Sequence, residues 1–310
     1  MPELVIATRG SKLALAQARW TARRLEEIQP GLSVRLQVIK TRGDKILDVP
    51  LAQVGGKGLF VKEIEDALLQ GRAQLAVHSM KDMPAELPPG LILAGVSPRE
   101  DPRDVLVSRE GWSLAQLPQG ARLGTSSLRR RAQLLAQRPD LEIESIRGNV
   151  QTRLAKMESQ DLQGVILAAA GLKRLGLEPT GARPLEVETL LPAVGQGILG
   201  FETRAEDRAT RELVEAISDS QADAAARAER AFLARLEGGC QVPIAGHALC
   251  QGQEVFLRGL VADLEGTTLL RAQGRAPREQ AEELGRRVAG EILDQGGRDI
   301  LAQVYGEEPA

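Results

Sequence analysis

Aromatic residues are scarce in this sequence: phenylalanine, tryptophan and tyrosine together make up 2% of its 310 residues. Its cores must therefore be filled mainly by aliphatic and alanine side chains. The chain is long enough for two or three domains, and its 43% hydrophobic and 26% charged residues are typical of a water-soluble globular protein.

Cysteine and histidine are also rare. The sequence contains two cysteines, Cys240 and Cys250, and two histidines, His78 and His247. Two cysteines are too few for a disulfide framework and are consistent with a reducing compartment. Because the histidines are far apart and have no Cys-x-x-Cys partner, we expect no metal site.

Neither sign of charge dominates, since 40 basic and 42 acidic side chains give a net charge of −2. Proteins that bind nucleic acids or anionic membranes usually carry a basic excess, so we expect neither partner. The chain starts with a predicted strand instead of a signal sequence, and the uncharged run at residues 189–201 is too short to span a membrane. We therefore expect a cytoplasmic location.

The basic residues are mostly arginine, with 32 arginines and 8 lysines. The planar guanidinium group suits carboxylates and phosphates better than an ammonium group does. The excess either indicates a ligand with many anionic groups or reflects a GC-rich genome, and composition alone favours neither explanation.

Strands and helices alternate in the first part of the chain, and the same plan restarts after a proline- and charge-rich stretch at residues 97–104. Ser11 and Ser127 can each cap a helix that follows a strand, and each precedes a glutamine, Gln17 or Gln133, by six residues. Chance could produce so short an echo. If the repeat is real, both halves place polar groups at strand ends, where open α/β sheets bind ligands.

Two glycine-rich segments imitate nucleotide-binding motifs. Residues 195–200 match the letters G-x-G-x-x-G, but a strand-like run follows them where that motif requires a helix. We interpret this segment as a tight turn. Gly56 and Lys57 lack the hydroxyl residue and the upstream glycine of a phosphate-binding loop.

Hydroxyl and basic residues mark the start of the helix predicted after Gly124. Thr125 and Ser127 begin this helix, whose free N–H groups attract anions, and the run Arg129–Arg131 follows them. Successive helical residues diverge by about 100°, so at most two of these arginines can share one site, and a solvated helix face is an equal alternative for any one of them. With Arg9, Arg147 and Arg153 near other strand ends, they predict a cleft for several carboxylates or phosphates.

Asp82 and Cys240 each have a functional and a structural interpretation. Asp82 follows a predicted strand, where a carboxylate could stabilise a cation or accept hydrogen bonds from two N–H groups. This segment alone favours the other interpretation, in which Asp82 caps the turn before Pro84. Cys240 lies between two glycines and Pro243 on a shaped loop, although free cysteines are often simply buried.

Five segments of the sequence, taken together in their order along the chain, resemble the porphobilinogen deaminase family. Members of this family are also called hydroxymethylbilane synthases. The match extends from Arg9 to beyond Cys240. The segments are Gly-Gly-Lys57-Gly-Leu-Phe60, His78-Ser-Met-Lys-Asp82-Met-Pro, Gly124-Thr-Ser-Ser-Leu-Arg-Arg, Ile146-Arg-Gly-Asn and Gly-Gly-Cys240-Gln-Val-Pro-Ile.

The resemblance implies an α/β fold with three domains. Domain 1 would comprise residues 1–97 and 198–217, domain 2 residues 103–193, and domain 3 residues 218–310. The first two would resemble periplasmic binding proteins, with mixed sheets and the active site in the cleft between them. The third would be a smaller α+β domain that carries the cofactor cysteine, and the protein would be a monomer.

The resemblance also implies a reaction. Cys240 would carry a dipyrromethane cofactor through a thioether, and four porphobilinogen molecules would be joined head to tail onto it with loss of ammonia. Water would then release hydroxymethylbilane, a linear tetrapyrrole. Because every pyrrole ring carries an acetate and a propionate, arginine is a suitable counterion.

By resemblance, Asp82 is the catalytic residue, and Lys57 and Phe60 belong to a lid. The cofactor-binding positions are Cys240, Lys81, Thr125, Ser127, Arg129, Arg130 and Arg147. The substrate-binding positions are Arg9, Ser11, Arg147, Asn149, Arg153, Arg174 and Gln196.

Two other classes of function compete with this interpretation. A carboxylate-binding protein of the periplasmic type that performs no chemistry would explain the arginines but leave Cys240 unused. Nucleic-acid binding through Arg129–Arg131 is disfavoured by the net charge.

Overall fold

A computed structural model describes residues 3–41, 43, 61–237 and 242–305. The chain divides into two compact units. Unit 1 comprises Met1–Glu100 and Ile198–Asp223, and unit 2 comprises Asp101–Gly197 and Ala224–Ala310. Three residues with predicted roles, Lys57, Phe60 and Cys240, lie outside the described residues.

The strands are β1 (Glu3–Arg9), β2 (Ser33–Ile39), β3 (Leu75–Ser79), β4 (Leu91–Val96), β5 (Asp104–Ser108), β6 (Arg122–Gly124), β7 (Glu142–Glu144), β8 (Gly164–Ala168), β9 (Ala182–Leu185), β10 (Leu199–Arg204), β11 (Ile244–Gln251), β12 (Glu254–Ala262) and β13 (Leu269–Pro277). The helices in the described ranges are α1 (Lys12–Ile28), α2 (Lys62–Leu69), α3 (Leu128–Gln137), α4 (Val150–Ser159), α5 (Ala169–Arg174), α6 (Arg208–Ala216), α7 (Ser220–Arg235), α8 (Ala281–Ile292) and α9 (Arg298–Tyr305).

Each unit contains a five-stranded sheet built on the same plan. In unit 1 the strand order is β2-β1-β3-β10-β4, with β1 parallel to β2 and β3, and β10 antiparallel to β3 and β4. In unit 2 the order is β7-β6-β8-β5-β9, with β6 parallel to β7 and β8, and β5 antiparallel to β8 and β9. The predicted repetition of an α/β plan with mixed sheets is confirmed.

The C-terminal part of unit 2 has a different architecture. Strands β11, β12 and β13 form an antiparallel sheet in chain order, and α8 packs against β12 and β13. This is the smaller α+β region predicted from the sequence. The fold class is therefore the expected one.

Equivalent serine caps begin the first helix after the first parallel strand of each unit. The Ser11 side chain accepts a hydrogen bond from the N–H of Ala14 at 3.2 Å, and the Ser127 side chain accepts one from the N–H of Arg130 at 3.4 Å. A capping oxygen of this kind satisfies a helix N–H that has no partner within the helix. Gln17 and Gln133 are both buried one to two turns further on, so their matching positions are structural as well as sequential.

Aliphatic side chains fill the cores, as the shortage of aromatic residues requires. Trp20 packs against the core of the unit 1 sheet, and Trp112 packs against that of the unit 2 sheet. In the α+β region the ring of Phe232 is fully buried. It fits over Gly259 in β12, where a Cβ atom would overlap the ring.

The segment that imitates a dinucleotide motif is a turn. Gly195 and Gly197 have φ angles of 73° and 91°, values that favour glycine. Strand β10 begins at Leu199, directly after the turn, so no helix is available to bind a pyrophosphate group. The interpretation as a tight turn is confirmed. Separately, none of the helices described is both long enough and apolar enough to cross a membrane.

Gly285 permits close packing between α8 and α7. A Cβ atom there would overlap the carbonyl oxygen of Ala228 and lie 2.8 Å from the amide nitrogen of Phe232. We expect Gly285→Ala to lower the free energy of unfolding by about 1–3 kcal/mol, because backbone atoms cannot yield as flexible side chains do.

Gly290→Ala in the same helix is the matched control. Nothing lies within 4 Å of its added methyl group, so higher helix propensity should stabilise the protein by roughly 0.5–1 kcal/mol. Denaturant-induced unfolding of both variants measures the difference, and equal effects would contradict the packing argument.

Candidate active site

A buried carboxylate organises the basic residues of unit 2. Asp104, the first residue of β5, is 0% exposed, and Arg129 and Arg130 at the start of α3 are each 5% exposed. The Arg129 Nη2 atom lies 2.8 Å from Asp104 Oδ2, and the Arg130 Nη2 atom lies 2.7 Å from Asp104 Oδ1. The Gln196 side-chain amide also donates to Asp104 Oδ1, at 2.9 Å.

The arginines outweigh the effect of burial on this carboxylate. Burial is the largest single influence and would raise the pKa of Asp104. The charges of Arg129 and Arg130, with hydrogen bonds from Arg130 and Gln196, instead hold this pKa well below its usual range. Two guanidinium groups and one carboxylate leave the cluster with one net positive charge, as suits an anionic ligand.

Backbone carbonyl groups hold the same side chains in place. Arg129 donates to the carbonyl oxygen of Leu191 at 2.6 Å, and Arg130 donates to that of Ile166 at 2.7 Å. The Gln196 amide donates to the carbonyl oxygen of Pro102 at 2.7 Å. These contacts leave the guanidinium planes little freedom to reorient.

The sequence predicted Arg129, Arg130 and Gln196 as binding residues but missed Asp104. Two of the three consecutive arginines do share one site, as helix geometry allows. Asp104 ends the proline- and charge-rich stretch at residues 97–104, and nothing in a single sequence indicates that this carboxylate is buried. The available signal was its position at the start of an apolar strand, Asp104–Ser108.

The two predicted hydroxyl residues lie where α3 begins. Thr125 is buried, and its Oγ1 atom accepts a hydrogen bond from the N–H of Ser127 at 3.2 Å. Ser127 caps the helix. The half-buried Arg131 lies in the first turn, and its Nε atom has no hydrogen-bond partner among the described residues. Hydroxyl groups, a helix N-terminus and guanidinium groups are all donors suited to carboxylates.

A second group of predicted residues surrounds the start of α4. Asn149 caps this helix by accepting from the N–H of Thr152 at 2.9 Å. Arg153 donates through Nε to the carbonyl oxygen of Gly148, also at 2.9 Å, and Arg147 is half-buried beside this turn. Elsewhere in unit 2, Arg174 at the end of α5 donates to the carbonyl oxygen of Gly197 at 2.6 Å.

In unit 1 the structure brings Arg9, Ser11 and Asp82 together around one cavity of about 60 Å³. Asp82 is exposed and ends a 3₁₀ turn, Met80–Asp82, directly after β3. Lys81 is half-buried in the same turn. The cavity lies at the carboxyl ends of the parallel strands β1 and β3, as expected for a ligand site in an open α/β sheet.

No group of three or more histidine, cysteine, aspartate or glutamate side chains in the described ranges is arranged to hold a metal ion. Cys240 and its neighbours lie outside the described residues.

Fold and site together define a class: a repeated α/β protein with basic and hydroxyl side chains at its strand ends and an added α+β region. Residues 4–212 match the family model "Porphobilinogen deaminase, dipyromethane cofactor binding domain", and residues 224–294 match "Porphobilinogen deaminase, C-terminal domain". The chain belongs to the porphobilinogen deaminase family, and it contains that family's cofactor-binding domain.

Relatives named porphobilinogen deaminase align over nearly the whole chain. The protein from Syntrophotalea carbinolica is 58% identical, over 96% of this chain and 95% of its own. Those from Moorella thermoacetica and Pelobacter propionicus are 54% and 53% identical, each over 99% of this chain and 98% of its own. Among solved structures, the periplasmic aliphatic sulphonate binding protein SsuA from Escherichia coli covers 100% of this chain, which covers 76% of SsuA, at 13% identity and a TM-score of 0.41. The fold class therefore rests on the sheet topology.

Removing the charge of Asp104 should destabilise unit 2 strongly. Asp104→Asn leaves two buried guanidinium groups without a counterion, so we expect the free energy of unfolding to fall by about 3–5 kcal/mol. Asp140→Asn is the matched control, because Asp140 also forms a salt bridge with an arginine, Arg138, but is partly exposed. Denaturant-induced unfolding should show a much smaller loss for that variant. Equal losses would contradict a central role for Asp104.

Proposed function

We propose that this protein is a porphobilinogen deaminase, a transferase that joins four porphobilinogen molecules head to tail with loss of ammonia. Hydrolysis then releases hydroxymethylbilane for tetrapyrrole biosynthesis. The observation that carries this proposal is the match of residues 4–212 and 224–294 to both domains of the family, supported by relatives with that name over nearly the full chain.

The donor chemistry of the described residues fits a dipyrromethane, whose two rings bear four carboxylates. The Asp104 cluster has one net positive charge, and α3 begins with hydroxyl groups and free N–H groups. The residues proposed to hold the cofactor are Cys240, through a thioether, and Lys81, Thr125, Ser127, Arg129, Arg130 and Arg147. When bound, the cofactor supplies a tethered pyrrole carbon at which the product chain grows.

Asp104 has a positioning role in this scheme. Only 5% of each arginine side chain is exposed, so a ligand carboxylate would meet the outer edges of the guanidinium groups. Asp104 fixes those edges before a ligand arrives, which reduces the entropy lost on binding. It also holds Gln196, one of the residues proposed to line the substrate site.

Asp82 is proposed as the catalytic residue. Its exposed carboxylate lies at a strand end beside Arg9 and Ser11, which are proposed to bind substrate carboxylates. A carboxylate in this position stabilises the positive charge that develops on a pyrrole as its ammonia departs. Asn149, Arg147, Arg153, Arg174 and Gln196 are the proposed substrate-binding residues of unit 2.

Several expectations from the sequence stay predictions. They are the division into domains at residues 1–97 with 198–217, 103–193 and 218–310, the lid containing Lys57 and Phe60, the monomeric state and the cytoplasmic location.

Intact-protein mass spectrometry tests the proposed attachment. Protein purified from a haem-producing host should carry an adduct equal to two linked pyrrole units, and Cys240→Ser should lack it because the thioether requires a thiol. Cys250→Ser is the matched control and should keep the adduct. An unmodified wild-type mass would support the alternative of a carboxylate-binding protein without chemistry.

Asp82→Asn should retain the adduct while turnover falls by about 10²- to 10⁴-fold, since the amide cannot stabilise a cation or exchange a proton as a carboxylate does. Ammonia release from porphobilinogen measures turnover, and the intact mass reports on the cofactor. Near-normal turnover would remove Asp82 from the mechanism.

A further inference from the structure

A buried acid–base pair lies in unit 1 behind the cavity that Asp82 lines. His78 in β3 is opposite Gly200 in β10, so Glu202, two residues further along β10, projects from the same face of the sheet. The His78 Nε2 atom lies 2.9 Å from Glu202 Oε2, and their side chains are 5% and 0% exposed. Neither side chain belongs to the binding or catalytic set inferred from the sequence.

A second carboxylate faces this pair from α2. Glu65 is 7% exposed. Burial, and next the negative charge of Glu202, raise the pKa of Glu65 to about 7, against the opposing influence of His78. Two carboxylates and one imidazole thus share a buried space, and the charges of Glu202 and His78 both act on the pKa of Glu65.

The cavity contacts polar groups that the protein leaves unsatisfied. Gln17 and His78 line it, and the buried Gln17 Nε2 atom has no hydrogen-bond partner in the described part of the chain. The same is true of one oxygen each of Glu65 and Glu202. A buried polar atom without a partner costs about 1–3 kcal/mol. The cavity volume of about 60 Å³ is enough for more than one water molecule, which could bond Gln17 and His78. Glu65 and Glu202 do not line the cavity and are reached from it through His78.

The repeated plan provides an internal comparison. In unit 2 the equivalent glutamine, Gln133, donates to the carbonyl oxygen of Leu191 at 3.1 Å and accepts from its N–H at 2.8 Å. That amide is satisfied by the protein itself. The corresponding amide of unit 1, on Gln17, instead borders the cavity, where a water molecule could accept a hydrogen bond from it.

Charged groups surround the cavity and the acid–base pair. Arg9 at the end of β1 and Asp82 in the turn after β3 line the cavity. On α2, Asp66 raises the pKa of Glu65 and Lys62 lowers it. Both effects are weaker than those of Glu202 and His78. His78 is therefore the member of the three that borders the cavity, together with the ionisable groups Arg9 and Asp82.

The proposed reaction supplies a proton that such a network can accept. In each condensation the C–N bond of a substrate ammonium breaks and ammonia leaves with the electron pair. A new C–C bond forms at a pyrrole carbon, which then loses its hydrogen as a proton. The balance is one ammonia and one proton per C–C bond, so a base must take up that proton.

We propose that Glu65, His78 and Glu202 form a proton-accepting network that removes this proton from the Asp82 side of the cavity through hydrogen-bonded water. The proposal rests on the proposed function. The three residues act through Asp82 and the cavity, and so are positioning residues. Within this network, the ionised carboxylate of Glu65 is the group that accepts the proton.

Carbon-13 NMR of glutamate side chains tests the network without measuring activity. The Glu65 carboxyl signal, identified by its absence in Glu65→Gln, should titrate with a midpoint near pH 7. A Glu65 midpoint near 4.5 would overturn the proposal.

The pH dependence of ammonia release is the second measurement. Wild-type kcat should rise as Glu65 ionises around pH 7. In Glu65→Gln this rise should be lost, leaving kcat at pH 8 about tenfold lower with KM within about twofold of wild type. Glu86→Gln makes the same chemical change at an exposed site of unit 1 and should leave the profile unaltered.

Thermal unfolding at several pH values checks that the Glu65→Gln variant folds, because the raised pKa of Glu65 makes the stability of the wild type depend on pH. Because the folded-state pKa of Glu65 is raised, its stabilising contribution is complete below about pH 4.5 and lost as pH rises through about 7. Glu65→Gln cannot ionise and should therefore melt higher than wild type above pH 7.

The outcomes separate the two proposals. If wild-type protein releases no ammonia and carries no adduct, the proposed function fails. Two results with active wild-type protein would overturn the network proposal and leave the proposed function standing. In the first, the pH profile of kcat for Glu65→Gln superimposes on that of the wild type. In the second, kcat of the variant falls by the same factor at every pH and its KM is raised.

Discussion

The candidate site of unit 2 depends on one ionised carboxylate in an apolar setting. Without Asp104, two guanidinium groups would be buried beside each other, with repulsion and desolvation both opposing folding. With it, the same two guanidinium groups are paired and held in fixed orientations. The carboxylate therefore serves stability and recognition together, and selection on either property constrains the same atoms.

Unit 1 uses the same strand plan with the opposite electrostatic arrangement. Its buried carboxylates, Glu65 and Glu202, outnumber the imidazole of His78, whereas the Asp104 cluster of unit 2 contains two buried guanidinium groups and one carboxylate. The same strand plan therefore accommodates a buried cluster with an excess of carboxylates in unit 1 and one with an excess of guanidinium groups in unit 2. The fold fixes where polar groups gather, while the side chains fix which chemistry they support.

Local patterns predicted most of the fold. Alternation of apolar residues, the serine caps and the turn at Gly195 depend on near neighbours, so a single sequence contains them. The pairings of Asp104 with α3 and of His78 with Glu202 join residues 25 or more positions apart, and no local pattern encodes them. For the site, residue types and order predicted the donors but not the buried partners that restrain them.

The shortage of aromatic residues has a practical consequence for spectroscopy. The sequence contains only two tryptophans, and each packs against the core of a different sheet, Trp20 in unit 1 and Trp112 in unit 2. Intrinsic fluorescence is therefore a sum of two emitters that report on separate units. Replacing either one by phenylalanine would leave a single-site probe of the other unit, without any extrinsic dye.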